Sequence, residues 1–313
     1  MGPWTHSGYA SLTAGDMSTA PEGGAPDIRS VELEWFDRWL KDLPNGVEKE
    51  KRLRYFLMGG GKGPQTGAKE IPHGGEWKTS DSWPPGETEA SCFYLWPGGL
   101  LAEKPPAGGE NSTSYRFDPH NPVPTIGGNL AVMPLPTGSF NQKGDDRFIF
   151  STDRLPLCSR NDVICFMTDP LVRDMAIAGP LHVRLWVSTD GFDTDFTVKL
   201  VDVYPPSPEY PEGVALNLAD GIMRLRFHGG FEKESPVNPG EVYEIYFEID
   251  PTANRFAAGH RIRMDISSSN FPRFDINPNT GGIPGVDRHR RTAVNTVYHS
   301  ACRPSCLVVH ELK

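Results

Sequence analysis

One histidine near the start of the chain has the residue type and the setting for acid–base chemistry. His6 follows Gly2-Pro3-Trp4-Thr5. Pro3 can continue neither a helix nor the hydrogen-bond ladder of a sheet, so we expect His6 to lie in an exposed loop. Because imidazole exchanges a proton near neutral pH, His6 is a candidate general base.

No nucleophile motif accompanies this histidine. The G-x-S-x-G pattern, which places a serine on a sharp strand-to-helix turn, is absent from all 313 residues. The P-loop, H-E-x-x-H and EF-hand spacings are absent as well. Two interpretations follow. Either His6 is an incidental surface residue, or the chain is the last part of a larger catalytic protein.

A loop, a helix and a strand are predicted to position His6. We expect a helix that is capped by Ser30 and runs to about Lys41, with its apolar stripe facing a sheet. Residues 54–58 have the apolar character of a buried strand. Residues 59–77, rich in Gly and Pro, form a connector to the rest of the chain.

The remainder of the chain alternates with the period of β-structure. Apolar and polar residues alternate in three runs, residues 181–187, 243–250 and 261–266, as half-buried antiparallel strands require. The 33 glycines and 30 prolines supply the turns between such strands. The sequence therefore predicts an all-β sandwich for this part of the chain.

Charge and apolar content exclude two classes of partner. The net charge of −9, with no basic cluster, argues against nucleic acid. No apolar run is long enough to span a bilayer, so we expect no membrane partner.

Cysteine and acidic residues offer weak candidates for metal binding. None of the five cysteines forms a C-x-x-C pair, and the spacing of Cys302 and Cys306 is one residue longer than in the commonest zinc knuckle. We expect free thiols in a reducing cytoplasm. Asp193-Thr194-Asp195 lacks the further ligands of a calcium loop, which favours a turn held by Asx hydrogen bonds. We expect no metal and no cofactor.

Five loops, in a fixed order, carry a family resemblance. Their segments are residues 121–128, 160–163 with 168–171, 193–196, 259–263 and 268–274. Together with Gly-Pro-Trp-Thr-His they resemble the C-terminal portion of the cocaine-esterase-like and X-Pro dipeptidyl-peptidase (CocE/NonD) hydrolases. That family includes glutaryl-cephalosporin acylases and α-amino-acid ester hydrolases, and the resemblance covers nearly the whole chain.

The resemblance implies a fold in two parts. Residues 1–76 would be the end of an α/β-hydrolase catalytic domain, with the His loop, a helix, the last strand and the connector. Residues 77–313 would form a jelly-roll sandwich of the galactose-binding-like type. Without its parent sheet, the strand of residues 54–58 would be an edge strand with no neighbour, and the first part would be poorly ordered.

The resemblance also implies a function. The parent would be a serine hydrolase that cleaves small ester, amide or peptide substrates through an acyl-enzyme, with His6 as the catalytic histidine. Its serine and aspartate would lie upstream, so we expect this chain alone to be inactive. Asn129 and Leu130 would lie near the acyl pocket, although a rigid Pro/Gly turn is the favoured interpretation of that loop.

Other residues are expected to have structural roles, and one other function stays open. His260 and residues 267–269 match the family pattern but suggest no partners, and His73 falls in a loop with no ligand spacing. The alternative to an enzyme is a non-catalytic module for carbohydrate binding or assembly, which a β-sandwich of this size also permits.

Overall fold

The computed structural model describes residues 1–6, 11–19, 23–24, 27–61, 70–129 and 135–313. Within them, one α-helix, α1, spans Ile28–Lys41. The strands are β1 (Thr13–Ala14), β2 (Met17–Ser18), β3 (Leu53–Gly59), β4 (Ile71–Pro72), β5 (Gly75–Ser80), β6 (Thr88–Trp96), β7 (Leu100–Ala102), β8 (Ser112–Phe117), β9 (Ile164–Met167), β10 (Met175–Thr189), β11 (Asp195–Tyr204), β12 (Val214–Arg224), β13 (Tyr243–Phe256), β14 (Arg261–Ser267), β15 (Ala293–Ser300), β16 (Arg303–Pro304) and β17 (Cys306–Leu312).

Most of these strands belong to one curled sheet, so the chain is mostly β, as the alternating runs predicted. The strands follow the order β12-β11-β14-β9-β7-β6-β17-β10-β13-β3-β5, and β15 pairs with β10, β8 and β16. A separate small sheet has the order β1-β2-β4. Curling folds the large sheet over its own inner face, which gives the layered packing of a β-sandwich.

The central strands bury one face each. In β10, Leu181, Val183 and Leu185 are at most 1% exposed, whereas Arg184 between them is exposed. The same alternation holds in β13, where Ile245 is fully buried. The predicted period-2 pattern is therefore confirmed in both strands, and their inner faces share one apolar core.

Strand β14 departs from that pattern. Arg263 and Asp265 were expected on a solvated face, but they are 7% and 5% exposed. Strand β14 pairs with β11 at one edge and with β9 at the other. Six of its seven residues are buried, so both of its faces are covered. The two charges compensate each other, since Arg263 Nε lies 2.7 Å from Asp265 Oδ1.

The predicted strand at residues 54–58 is present, but the expectation that it has no neighbour is wrong. Strand β3 pairs along its length with β5. Its last residues, Met58 and Gly59, pair in parallel with Asn254 and Arg255 of β13. The first part of the chain is therefore joined by hydrogen bonds to the large sheet. The division between residues 76 and 77 stays a prediction.

Helix α1 begins earlier than predicted. Asp27, not Ser30, is the N-cap, and its side chain accepts a hydrogen bond from the Arg29 amide. Ser30 instead donates from its hydroxyl to the Asp27 carboxylate at 2.7 Å. None of the helix residues is buried. Its apolar side chains, with exposures from 50% to 76%, are Val31, Leu33, Trp35, Phe36, Trp39 and Leu40.

Candidate functional site

A cleft of about 280 Å³ opens where the N-terminal segment meets the large sheet. This volume is close to the lower end of small-molecule sites. The pairing of β10 with β13 shifts register opposite residues 250–251, and residues 250–253 line the cleft. Polar residues of the lining include Thr5, His6, Asn129, Thr137, Ser139, Asn217, Asp220, Asp250 and Thr252.

Strand β3 holds the beginning of the His6 segment. The Met1 amine donates to the Arg54 carbonyl at 2.6 Å, and the Phe56 amide donates to the Met1 carbonyl at 3.0 Å. Met1 therefore lies beside β3 as a further strand residue would. The side chain of Phe56 packs edge-on against the Trp77 ring, so this contact also reaches β5.

His6 lies at the wall of the cleft, in the exposed position that its sequence context predicted. Trp4 packs beneath this loop. Its indole Nε1 donates to the Gly23 carbonyl at 3.2 Å, and its ring centre lies 5.8 Å from that of Trp77. Trp4 is therefore held in place by its contacts, while the His6 imidazole is exposed, and this arrangement suits proton transfer.

The loop that contains Pro122-Val123-Pro124-Thr125 brings Asn129 to the same cleft. The Thr125 amide donates to the Phe271 carbonyl at 2.7 Å. The Gly128 and Gly138 backbones exchange hydrogen bonds of 2.7 and 3.1 Å. Asn129 is exposed and lines the cleft. Leu130, the second residue predicted near the acyl pocket, lies outside the described residues.

Glycine is required where this loop approaches the sheet. Gly127 has φ +64°, and a Cβ there would lie 2.4 Å from the Phe140 ring and 2.5 Å from the Gly138 carbonyl oxygen. A larger residue would meet both the backbone strain and the clash. The close approach therefore fixes the backbone two residues before Asn129, which lines the cleft.

A charged cluster lies below Gly128. Arg273 Nη2 lies 2.9 Å from Asp220 Oδ1 and 2.8 Å from Asp250 Oδ2, and both carboxylates line the cleft. Burial raises the pKa of Asp220, against the opposing effect of the Arg273 guanidinium. No sequence pattern indicated this cluster, although Arg273 lies in the family-like segment of residues 268–274.

The serine of the cleft lining is not placed as a nucleophile for His6. Ser139 is 9% exposed, and its Oγ donates to the Asn217 carbonyl at 2.7 Å. Among the described residues, no hydrogen bond connects Ser139 to His6. The cleft lining therefore offers a proton acceptor and polar contacts.

Asp193 and Asp195 form buried ion pairs, so the prediction of an Asx turn is wrong. Asp193 accepts from the Arg226 amide at 2.9 Å and from its Nε at 2.7 Å. Asp195 accepts from Arg224 Nε and Nη2 at 2.9 and 3.0 Å. Within the described ranges, no three His, Cys, Asp or Glu side chains converge on a metal position.

His260 and His73 have partners that the sequence did not reveal. His260 Nδ1 lies 2.8 Å from Asp202 Oδ1, and the Tyr204 ring packs against its imidazole at 4.1 Å. His73 is fully buried, with Nε2 2.6 Å from Asn254 Oδ1 and Nδ1 in contact with the Tyr204 hydroxyl. Burial lowers the pKa of His73. Both histidines are packed into the sheet, away from the lining of the cleft.

The serine run at the end of β14 is also bound. Ser268 Oγ lies 2.8 Å from the Tyr115 hydroxyl and accepts from Asn295 Nδ2 at 2.7 Å. Ser269 Oγ accepts from the Val123 amide at 2.8 Å. These serines therefore connect β14 to β8, β15 and the loop that leads to Asn129, in the structural role expected for them.

All five cysteines are free thiols. Among the described helical residues, no segment is long and apolar enough to cross a membrane.

Most of the chain matches one known protein family. The family described as the X-Pro dipeptidyl-peptidase C-terminal non-catalytic domain matches residues 45–308. The chain belongs to this family. The resemblance read from the five loops is thus confirmed, and the family match begins before β3, the strand joined to β5 and β13.

Relatives of this X-Pro dipeptidyl-peptidase C-terminal domain are hydrolases. The cocaine esterase of Rhodococcus sp. (strain MB1 Bresler) is 32% identical over 329 residues, which cover 100% of this chain and 51% of the esterase. The chain therefore spans about half the length of this curated relative.

Two solved structures resemble the chain in fold. An aminopeptidase from a marine sediment archaeon, Thaumarchaeota archaeon, superposes with a TM-score of 0.77 at 27% identity, over 97% of this chain and 47% of that protein. An α-amino-acid ester hydrolase superposes with a TM-score of 0.75 at 27% identity, over 99% of this chain and 49% of that protein.

Proposed function

We propose that the chain is the C-terminal part of a serine hydrolase that cleaves ester or amide acyl bonds through an acyl-enzyme. In this proposal residues 1–76 complete an α/β-hydrolase domain, and residues 77–313 form its jelly-roll domain. The observation that carries the proposal is the cleft that His6 and Asn129, which are far apart in sequence, both line.

His6 would act as general base and then as general acid. It would accept the proton of a serine Oγ during attack on the acyl carbon and return that proton to the leaving group. The serine, the carboxylate that orients His6 and the backbone donors for the oxyanion would come from the segment that precedes this chain. Asn129 and Leu130 would contact the acyl group.

The exposed apolar face of α1 supports the proposal that a further segment of the protein covers this helix. Trp35, Phe36 and Trp39 are each more than half exposed, although such residues are normally removed from water. In an α/β-hydrolase, helices cover the faces of a mostly parallel sheet. We propose that the preceding half of the protein supplies the sheet that α1 covers.

The substrate class follows from the relatives only as part of this proposal. One relative is named as a cocaine esterase and two structural neighbours as an aminopeptidase and an α-amino-acid ester hydrolase. We propose a small ester, amide or peptide substrate whose acyl part enters the cleft.

A fluorophosphonate probe tests the proposal, because it labels an activated serine. The 313-residue chain should not be labelled, whereas the product of the same gene with its preceding coding sequence should be. In that longer protein, His6→Ala should lower turnover by about 10⁴-fold or more. His289→Ala provides a control, since His289 is exposed and lies outside the cleft lining.

Two results would contradict the proposal. One is labelling of the 313-residue chain that His6→Ala abolishes, which would locate the nucleophile within this chain. The other is an unlabelled longer protein that retains specific binding to a glycan array. That result would favour the non-catalytic carbohydrate-binding module.

A further inference from the structure

The hairpin of β1 and β2 (residues 13–18) lies beside residues 137–142 at the cleft. The Ser139 amide donates to the Ala14 carbonyl at 3.0 Å, and the Asp16 amide donates to the Ser139 carbonyl at 2.8 Å. Residues from both segments line the cleft. The hairpin therefore belongs to the cleft wall, and backbone hydrogen bonds join it to the segment beside it.

The carboxylate of Asp16 adds a side-chain connection to this backbone contact. Its Oδ2 accepts from the Asn141 amide at 3.1 Å, and its Oδ1 accepts from Arg147 Nη1 at 2.5 Å. Asp16 is 8% exposed, and hydrogen bonds of this charged kind are stronger than neutral ones. The Arg147 guanidinium also lies over the rings of Phe140 and Phe148, 4.9 and 5.5 Å from their centres. Asp16 thus ties the hairpin to a side chain that packs on two buried rings.

The His6 loop is held on both sides. Trp4, which precedes His6 by two residues, is fixed by its indole hydrogen bond and its ring contact. After His6 the chain enters the hairpin, which the Asp16 carboxylate joins to residues 137–142. Those residues pair in turn with the residue before Asn129. Asp16 therefore connects the segment of the candidate general base to the segment of the candidate acyl contact.

We propose that Asp16 is a positioning residue that sets the place of the His6 imidazole relative to the Asn129 side of the cleft. This inference rests on the proposed hydrolase function. Asp16 is not part of the cleft lining, so it acts through the hairpin and does not touch the substrate. Because a displacement of about 1 Å can cost about 10²-fold in rate, a loosened hairpin should lower turnover although His6 itself is intact.

Asp145 provides a matched control for Asp16. Its carboxylate also accepts from Arg147, through Nε at 3.0 and 2.9 Å. The Asp145 side chain is 33% exposed, against 10% for Asp16, and it lies two residues before Arg147 in the same loop. Replacement of either residue by Asn removes one negative charge beside Arg147. Only Asp16→Asn removes it from the hairpin.

Amide hydrogen exchange of the folded 313-residue chain tests the structural step without any activity. In Asp16→Asn, peptides that cover residues 11–19 and 137–142 should exchange about tenfold faster than in the wild type, because loss of a charged hydrogen bond favours local opening. Peptides of β10 should keep the wild-type rate. In Asp145→Asn, residues 11–19 should also keep it. Equal exchange of residues 11–19 in the two variants would overturn the inference.

The fluorophosphonate probe tests the functional step in the longer protein, since the rate of labelling reports on serine activation. We expect Asp16→Asn to be labelled about 10–100-fold more slowly than the wild type, yet to the same final extent. A loss of folded protein would instead lower the final extent. Asp145→Asn should be labelled at the wild-type rate. Arg147→Lys should retain more of the rate than Arg147→Met, because an ammonium can still pair with Asp16.

The two measurements separate failure of this inference from failure of the proposed function. If the wild-type longer protein is labelled and Asp16→Asn reacts as fast, Asp16 does not position His6. If the wild-type longer protein is not labelled, the hydrolase proposal fails and the positioning role fails with it. In that case the exchange rates still decide whether Asp16 holds the hairpin.

Discussion

Replacing His260 should destabilise the chain strongly, while replacing His6 should not. His260 Nδ1 contacts Asp202 Oδ1 at 2.8 Å, and Asp202 is fully buried. His260→Ala would leave that carboxylate with no compensating group at Oδ1 and a void beside Tyr204. His6 is exposed in its loop, so its removal leaves no buried group without a partner.

The size of the effect follows from the burial of Asp202. Removing one partner of a buried charged pair costs about 3–5 kcal/mol of unfolding free energy. A surface substitution costs about 0.5 kcal/mol or less. For a protein somewhat larger than 250 residues, about 2 °C in melting temperature accompanies each kcal/mol. We therefore expect His260→Ala to melt about 6–10 °C below the wild type and His6→Ala within about 1 °C of it.

Urea unfolding of the 313-residue chain, followed by tryptophan fluorescence, measures the unfolding free energies of both variants, and thermal unfolding measures their melting temperatures. His260→Gln is the matched control, because its amide can still donate to Asp202 and should recover part of the loss. If His260→Ala costs less than about 1 kcal/mol, the buried pair does not carry the energy assigned to it. A large loss in His6→Ala would show that the His6 loop is part of the core.

Three further predictions follow from other contacts. Burial lowers the pKa of His73, so as the pH falls the unfolded state binds a proton before the folded state does. Below about pH 6.5 the unfolding free energy should fall by up to about 1.4 kcal/mol per pH unit. Urea titrations at pH 7 and pH 5 should show a smaller fall in His73→Gln than in the wild type. Gly127→Ala should lower the melting temperature more than Gly240→Ala, because both have positive φ but only Gly127 would clash, whereas Gly240 has nothing within 4 Å. Limited trypsin digestion should cut first within residues 59–75, and the two pieces should co-elute on gel filtration, because β3 stays paired with β5 and β13.

Strand periodicity was sufficient to predict the β-body. The apolar positions of β10 and β13 repeat every second residue, and in both strands they face the shared core. Such a pattern depends only on which face of a sheet is exposed to solvent, so it can be recognised in a single sequence. The family resemblance was also readable, because five loops with strong Gly, Pro and Asn signatures occur in a fixed order.

Pairings between distant residues could not be predicted in the same way. Arg263 and Asp265 have the alternation of a solvated face, yet β14 is covered on both sides. Asp193 accepts hydrogen bonds from Arg226, which is 33 residues away in the sequence. Whether a polar residue is solvated or buried with a partner depends on which strands become neighbours, and that is a long-range property of the fold. The buried contact of His73 with Tyr204 was missed for the same reason.

The pairing of β3 changes how the candidate site should be understood. If this strand were loose, the His6 loop would have no fixed position relative to Asn129. Instead Met1 is bound to Arg54 and Phe56 of β3. The end of β3 pairs with β13 next to residues 250–253, which line the cleft. The sheet thus holds the N-terminal segment close to the residues of β13 that line the cleft. In the proposed hydrolase, a domain described as non-catalytic would in this way hold His6 in register with the surface that would receive the acyl group.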